Sequence, residues 1–393
     1  MKLLVILPRV PYPLEKGDKL RAYNHIKFLS KTNEIILCAL NDTTIHPDAI
    51  GKLKPFCKSI HVLNIGKWSI AINLFKAFLT GIPFQAGYFY NRKNHHKLRD
   101  IIVREQPDHI FCQLLRVAEY VKDIPVPKTI DYQDVFSKGV ERRIDKSPFY
   151  LKPILKMEYK RLLKYEHDLF EIYDNKTIIS LPDRDLIPHP EREKIHIIPN
   201  GVDTDFFKPM DVEKKFEIVF IGNMGYPPNV DAAEYLALKI LPLVQQKHPE
   251  AKLLLAGATP DKRVQNLEGP SVQVTGWVDD IRQCYAQARI FIAPMQIGTG
   301  LQNKLLEAMA MRIPSITSSL AFSALGASEG KEILVGNSPE DYAGLICQLL
   351  EDHALSERIA EAGYRFVHEN YNWETATAEL DRIMQNSNRK STH

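Results

Sequence analysis

Ile290-Phe291-Ile292-Ala293 is followed, four residues later, by Gly298-Thr299-Gly300-Leu301-Gln302-Asn303-Lys304-Leu305-Leu306-Glu307-Ala308-Met309-Ala310-Met311. A short apolar strand runs through two glycines into a helix. Glycines let a backbone approach a ligand closely. The free N–H groups and positive dipole end of the following helix suit a phosphate. Lys304 places a full positive charge in the first turn, where a cation is disfavoured by the helix dipole. A bound diphosphate removes that conflict. Glu307 lies three residues on, on roughly the same face, and its carboxylate can accept from two ribose hydroxyls. The alternative is a glycine-rich turn followed by an i,i+3 surface ion pair.

The same strand-to-helix rhythm extends in both directions. Strand candidates are Lys2–Leu7, Glu34–Leu40, Ser59–Leu63, His109–Cys112, Lys128–Asp131, Lys176–Ser180 and His196–Ile198 in the first half. In the second half they are Phe216–Ile221, Lys252–Ala256, Val272–Thr275, Ile290–Ala293, Pro314–Thr317 and Glu332–Val335. Helical patterns such as Asp231–Gln246 and Asn303–Met311 separate most of them. Alternating β and α elements imply parallel sheets covered by helices. The fold class expected is therefore α/β, with two Rossmann-like domains whose parallel sheets face a central cleft. Ligands bind such sheets at the carboxyl ends of the strands. The turn Pro199-Asn200-Gly201 and the polar stretch Lys208 to Lys215 mark the boundary. The domains expected are 1–205, 206–370, and a C-terminal segment 371–393. In the last, Asn372-Trp373-Glu374 opens a helix to about Met384, and residues beyond Gln385 fray.

The chain has 393 residues, 45% of them apolar and 25% charged, which excludes a disordered polymer. Five scattered cysteines without a C-x-x-C pair argue against a disulfide framework or a structural zinc site. The first strand runs into Pro8-Arg9-Val10-Pro11-Tyr12-Pro13 rather than G-x-G-x-x-G, so a nicotinamide dehydrogenase is not expected. No P-loop signature occurs. The histidines form no metal pattern, and Asp183-Arg184-Asp185 reads as a solvated loop. Ile70 to Tyr90 is the most apolar stretch, but Lys76, Gly81 and Pro83 interrupt it, and it falls short of a membrane span. The start Met1 to Pro8 reads as a buried strand rather than a signal peptide, so a cytoplasmic protein is expected.

Charge is uneven. Residues 1–200 carry 33 Lys+Arg against 23 Asp+Glu, and the remainder carries 18 against 25. The basic half includes Arg92 to Arg99 and the amphipathic segment Leu151–Tyr173. Both suit an anionic membrane surface, which would place the protein peripherally on the inner face. For Leu151–Tyr173 the alternative is packing against its own domain. No nucleic-acid-binding pattern is present.

Together these pieces resemble retaining glycosyltransferases of the GT-B fold, in the large family 4 group. The similarity is closest to sugar transferases of bacterial exopolysaccharide systems. It covers nearly the whole chain. It rests on Pro11-Tyr12-Pro13 with Gly17-Asp18-Lys19 and Arg21, on Asp131 and Asp134 with Ser137-Lys138, and on Ile198-Pro199-Asn200-Gly201-Val202-Asp203. It rests further on Phe220-Ile221-Gly222-Asn223-Met224 with Pro228-Asn229-Val230-Asp231, on Gly276-Trp277-Val278, and on Gln302-Asn303-Lys304 with Glu307.

The resemblance implies transfer of a sugar, with retention and without a metal, to a glycan or lipid-linked acceptor in surface or exopolysaccharide synthesis. The nucleotide sugar is a substrate, with UDP or GDP as the carrier, and no cofactor is expected. Its donor site would comprise Gly222, Asn223, Met224, Gly298, Thr299, Gly300, Leu301, Gln302, Asn303, Lys304 and Glu307. Of the family's E-x7-E pair, Glu307 matches the second member, while Thr299 replaces the first. The usual Arg and Lys pair after the first strand of the second domain is missing from Gly222-Asn223-Met224-Gly225-Tyr226, and Lys304 is its candidate replacement. A crossing of the C-terminal helix back to the first domain is also implied.

Acceptor-side candidates are Gly17, Asp18, Lys19 and Arg21, the alternative being an ordinary strand–helix connection. Asp131 and Asp134 could bind acceptor hydroxyls or orient the attacking one, or could cap a helix. They join Lys304 and Glu307 as catalytic candidates. Asn229 reads as a helix cap. Rival readings are an epimerase of the same fold and a non-catalytic sugar-nucleotide-binding subunit, which the Thr299 departure motivates.

Overall fold

The computed structural model describes residues 1–14, 16–297 and 301–391. Its strands are β1 (Lys2–Leu7), β2 (Glu34–Asn41), β3 (Ser59–Asn64), β4 (His109–Gln113), β5 (Lys128–Asp131), β6 (Asn175–Ile178), β7 (His196–Ile197), β8 (Phe216–Ile221), β9 (Leu253–Ala256), β10 (Val272–Val274), β11 (Ala288–Ala293), β12 (Ser315–Thr317) and β13 (Leu334–Val335). Each of the thirteen segments read from sequence is a strand, within a few residues at either end.

The first sheet has the order β3-β2-β1-β4-β5-β6-β7, and the second β10-β9-β8-β11-β12-β13. Neighbouring strands are parallel throughout. In each sheet the order reverses once, between β1 and β4 and between β8 and β11. A crevice opens at the carboxyl ends of the strands beside such a switch.

Strand periodicity shows why β1 and β2 read as unbroken apolar runs. Leu4, Ile6, Ile36, Cys38 and Leu40 belong to one core layer. Leu3, Val5, Leu7, Ile35, Leu37 and Ala39 belong to the layer on the opposite face. Helices cover both faces, so every position is apolar.

The chain divides into two units. One is Met1–Pro199 with the segment from Trp373 onward, and the other is Asn200–Asn372. The helix Trp373–Ser391 supplies Leu380, Ile383 and Met384 to the second core layer of the first unit. It continues past Gln385. Ser387 Oγ accepts from Asn175 Nδ2 at 3.0 Å, and Asn388 Oδ1 lies 2.8 Å from His109 Nδ1. These polar ties, to residues far away in sequence, fasten the turn just after Gln385.

Candidate functional site

In the second unit the switch point gathers residues from four places in the sequence. After β8 the chain passes Gly222, whose missing side chain is required. A Cβ there would lie 2.7 Å from Asn229 Nδ2 and 3.2 Å from Lys304 Nζ. Gly257, with φ of +140°, lets the next strand end come equally close, since its Cβ would fall 1.8 Å from the Gly222 oxygen. From the other side of the switch comes the helix Asn303–Ala310. Lys304, in its first turn, donates to Asn229 Oδ1 at 2.6 Å and stands 4.7 Å from the centre of the Phe220 ring.

Asn229 is therefore not a helix cap. It is buried in the helix Pro227–Tyr235, and its Nδ2 donates to the Asn223 oxygen at 2.9 Å. It ties the loop after β8 to the lysine from beyond β11. Lys304 makes this bond in place of the i,i+3 surface ion pair that its spacing with Glu307 allowed. Glu307 Oε2 instead accepts from the hydroxyl of the fully buried Tyr285 at 2.8 Å.

Burial pushes the Lys304 ammonium down to about 7, opposed by attraction to Glu307. Burial also raises the Glu307 carboxyl, opposed by the Tyr285 hydrogen bond and by Lys304. Both groups are drawn toward their neutral forms. A multiply charged anion beside Lys304 would restore the ammonium, because opposite charge favours the charged form.

The remaining donor-side candidates divide. Asn303 Oδ1 accepts from Asn200 Nδ2 at 3.1 Å, which fixes the start of the helix. Gln302 is the N-cap residue, and Leu301 packs against the core of this unit. Asn223 Oδ1 accepts from Gly225 N at 3.0 Å and from Thr259 Oγ1 at 2.9 Å, so this exposed side chain braces its own loop. Met224 is corrected as a side-chain contact. It is fully buried in the core, and only its backbone lies on the loop. Gly298, Thr299 and Gly300 lie outside the described residues.

The first unit brings its candidates together differently. Arg21 and Asp131 are both fully buried and meet in a two-pronged ion pair, Nε to Oδ2 at 2.7 Å and Nη2 to Oδ1 at 3.0 Å. Thr177 Oγ1 also donates to Asp131 Oδ1, at 2.9 Å. The expectation that Arg21 reaches an acceptor and Asp131 an attacking hydroxyl is corrected here. Each is engaged by the other, below the surface. Asp134 is exposed, and its Oδ1 accepts from Val135 N at 2.8 Å.

Gly17 and Asp18 open the helix Gly17–Leu29, and Asp18 pairs with Arg9 at 3.2 Å. Lys19 donates to the Tyr12 oxygen at 3.4 Å. Arg9, Tyr12, Lys16, Lys19, Asp42 and His46 line a cavity of about 440 Å³ beyond the carboxyl ends of β1 and β2. Sequence reading missed Arg9 and Arg116. The Arg116 guanidinium lies over Phe136 at 4.9 Å and donates to Gln85 Oε1, and burial lowers it to about 10. Neither had a spacing signal, since only the sheet order puts the ends of β1 and β4 side by side.

Asp183-Arg184-Asp185 is corrected from a solvated loop to part of the short helix Leu181–Asp185. Asp183 is buried there and accepts from Ser180 Oγ at 2.5 Å, and burial pushes its carboxyl up to about 6. Among the described residues, no three His, Cys, Asp or Glu side chains gather as metal ligands. Nor is any described helix long and apolar enough to cross a membrane.

Residues 215–352 match the family described as glycosyl transferases group 1. That stretch runs from the start of β8 through β13 and contains the Gly222, Asn229, Lys304 and Glu307 cluster. A 44.6 kDa protein in the cps region of Klebsiella pneumoniae is 22% identical over 94% of this chain and 96% of its own. Among solved structures, sucrose-phosphate synthase from Thermosynechococcus elongatus superposes with a TM-score of 0.71 at 14% identity. The match covers 98% of this chain and 99% of that one. Anabaena Alr3699/HepE, solved in complex with UDP-glucose, gives 0.69 at 12% identity, over 98% of this chain and 100% of that one. These likenesses show the fold: two parallel-sheet α/β units of the GT-B glycosyltransferase type.

Proposed function

We propose that this protein transfers a sugar from a nucleoside diphosphate sugar to a hydroxyl of a glycan or lipid-linked acceptor, in the synthesis of a bacterial surface polysaccharide. The observation that carries the reading is Lys304. It is a half-buried cation at the start of a helix, beside a glycine with no room for a side chain, and its charge is depressed until an anion arrives.

The second unit holds the donor. The diphosphate lies against Lys304 and the N–H groups at the head of Asn303–Ala310. Glu307, oriented by Tyr285, accepts from the ribose hydroxyls. The bond between the sugar C1 and the diphosphate oxygen breaks, and Lys304 and the helix dipole stabilise the charge that develops on the leaving group. The acceptor oxygen forms a new bond to C1 on the same face. Its proton passes to a leaving phosphate oxygen. This gives retention, and the step calls on no metal. The acceptor enters at the first unit, where Arg9 and Lys19 border the cavity, Asp18 pairs with Arg9, and Asp134 stands exposed just after β5.

UDP is the carrier favoured, by likeness to the UDP-glucose complex of the Anabaena protein. The cps region of the Klebsiella relative supports a surface polysaccharide as the product.

Thermal shifts with UDP, GDP and their sugars test the donor site. Ligand at 100 times its dissociation constant stabilises by about 2.7 kcal/mol. A shift with one carrier, lost in Glu307→Ala and in Lys304→Met, is the expected result. Equal shifts in wild type and both variants would remove the site from this cluster.

A further inference from the structure

The helix Lys67–Thr80 of the first unit is built inside out. Trp68, Ile72, Phe75 and Leu79 recur at the helical period and form one stripe. In a helix packed on its domain that stripe faces the core. Here it faces solvent: Trp68 is 87% exposed, Ile72 55%, Phe75 65% and Leu79 67%. Only Ala77 of the fourteen residues is buried.

The inward face is mixed: Ile70 packs on the core and Leu74 is half-buried, beside the small or polar Ser69, Asn73 and Ala77. Ser69 Oγ accepts from Asn91 Nδ2 at 2.6 Å. Ala77 sits so close to the helix Phe84–Phe89 that a Cβ on Gly87 would lie 2.5 Å from its own. The helix is thus already seated through Ile70, Ser69 and Ala77, and the larger apolar stripe is left outward. Large exposed apolar patches mark interaction sites.

The patch continues onto a second element. Arg161 of the helix Lys152–Ile172 donates to the carbonyls of Ala77 and Phe78, at 3.1 and 2.9 Å. Two turns earlier on the same face, about 10 Å away, stands Ile154, half exposed. Just before this helix, Phe149 is 85% exposed and Tyr150 64%. Lys67, Lys76, Lys156 and Lys160 are exposed on the same two helices, and neither 67–80 nor 149–157 contains an acidic residue.

We infer that this surface seats the protein on an anionic lipid bilayer, with Trp68, Ile72, Phe75 and Leu79 in the headgroup and acyl boundary and the lysines at the phosphates. Lysine is depleted at protein–protein interfaces, where arginine and aromatics replace it. An apolar stripe flanked by exposed lysines, with no acidic residue in 67–80 or 149–157, fits lipid better. The inserting element is not the one that sequence amphipathicity selects. From Leu162 onward the Leu151–Tyr173 stripe is largely core, with Leu162, Leu169 and Phe170 buried.

Flotation of the full chain with vesicles tests this, using phosphatidylcholine alone and phosphatidylcholine with phosphatidylglycerol. Binding is expected to the anionic vesicles and to fall with salt. Trp68→Ser and Phe75→Ser should each weaken it by about tenfold or more. Both positions are solvent-facing, so the melting temperature should hold in these variants. Lys67→Gln with Lys76→Gln should weaken the anionic preference alone. Quenching of tryptophan fluorescence by brominated lipid should vanish in Trp68→Phe. A chain that stays with the soluble fraction for both vesicle types overturns the inference. So does a dimer in sedimentation that Phe75→Ser dissolves, which would give the face to a second copy. None of these readouts involves donor or transfer, so they stand apart from the transferase reading.

Discussion

Lys304 and Glu307 were legible because chemistry and spacing coincide on one helix. Their partners were not. Asn229 lies 75 residues from Lys304, and Tyr285 lies 22 from Glu307. Periodicity carries no information on such pairs, which only the switch in strand order brings together. The lowered Lys304 value gives a signed prediction. Above pH 7 the free lysine is increasingly neutral, and bound diphosphate re-protonates it. Donor binding should therefore take up a proton at pH 8, seen as a buffer-dependent calorimetric enthalpy, and affinity should fall as pH rises through 7. Lys304→Met should lose both effects and lower kcat/KM by about 10²- to 10³-fold, as removal of one transition-state donor does. A buffer-independent enthalpy would place the diphosphate elsewhere. The Arg21–Asp131 pair gives the opposite lesson. Its residue types invite a catalytic reading, yet burial makes them mutual. Arg21→Met should cost about 3–5 kcal/mol by leaving a buried carboxylate without its partner. Arg21→Met with Asp131→Leu should recover much of that in urea denaturation. If the single variant is as stable as wild type, the pair does not hold the fold.

The helix Lys152–Ile172 shows how one element organises others. Two of its carboxylates, eight residues apart, each point at the start of another helix. Glu158 accepts from the N–H groups of Phe84 and Gln85 at 2.9 and 3.1 Å, and Glu166 from Ser137 N at 3.1 Å. Anions are favoured at helix N-termini, which offsets part of the burial. For Glu166 the offset is incomplete. Burial pushes it up to about 7 from 4.5, and its Oε2 has no hydrogen-bond partner. The folded state therefore holds this proton more tightly than the unfolded chain. The stability it confers is fully present below about pH 4.5 and is lost as pH rises through 7. Glu166→Gln keeps the acceptor oxygen and removes the titration. Between pH 5 and 8 wild type should lose about 3 kcal/mol relative to this variant, read from paired urea curves. A constant gap across that range would show that the carboxyl stays ionised. The strands of both sheets were legible because apolar runs bounded by turns have few other meanings. The direction of an amphipathic face was not legible. The helical period finds a stripe in 67–80 and in 151–173 alike. It does not say that the first turns outward, because that depends on Ser69, Ala77 and Gly87 fixing the other side.

The two parallel-sheet units carry opposite net charge, and their boundary was nearly legible from Pro199-Asn200-Gly201. The division is not collinear with the sequence. After Asn372 the chain returns to the first unit, and the helix Trp373–Ser391 completes a core layer begun by β1. Composition gives no sign of this, and the family resemblance alone supplied the expectation. Within the second unit, its first and last residues run side by side. Val202 N donates to the Tyr371 oxygen at 2.9 Å, and Val202 bridges Asn372. On the far side of Pro199, Ile198 packs in the same layer as Leu380. The second unit should accordingly melt as a body of its own, and the first should melt with the C-terminal helix. Leu380 is fully buried in the first unit, so Leu380→Ala should cost that unit about 2–5 kcal/mol by leaving a cavity. If the proposed donor site is right, nucleotide held by the second unit should raise only the other transition. Scanning calorimetry of wild type and Leu380→Ala, each with and without UDP, separates the two effects. Two transitions that respond independently are expected, one shifted by the substitution and the other by the nucleotide. A single transition moved by both would mean that the units fold as one body, with the C-terminal helix binding them together rather than finishing one.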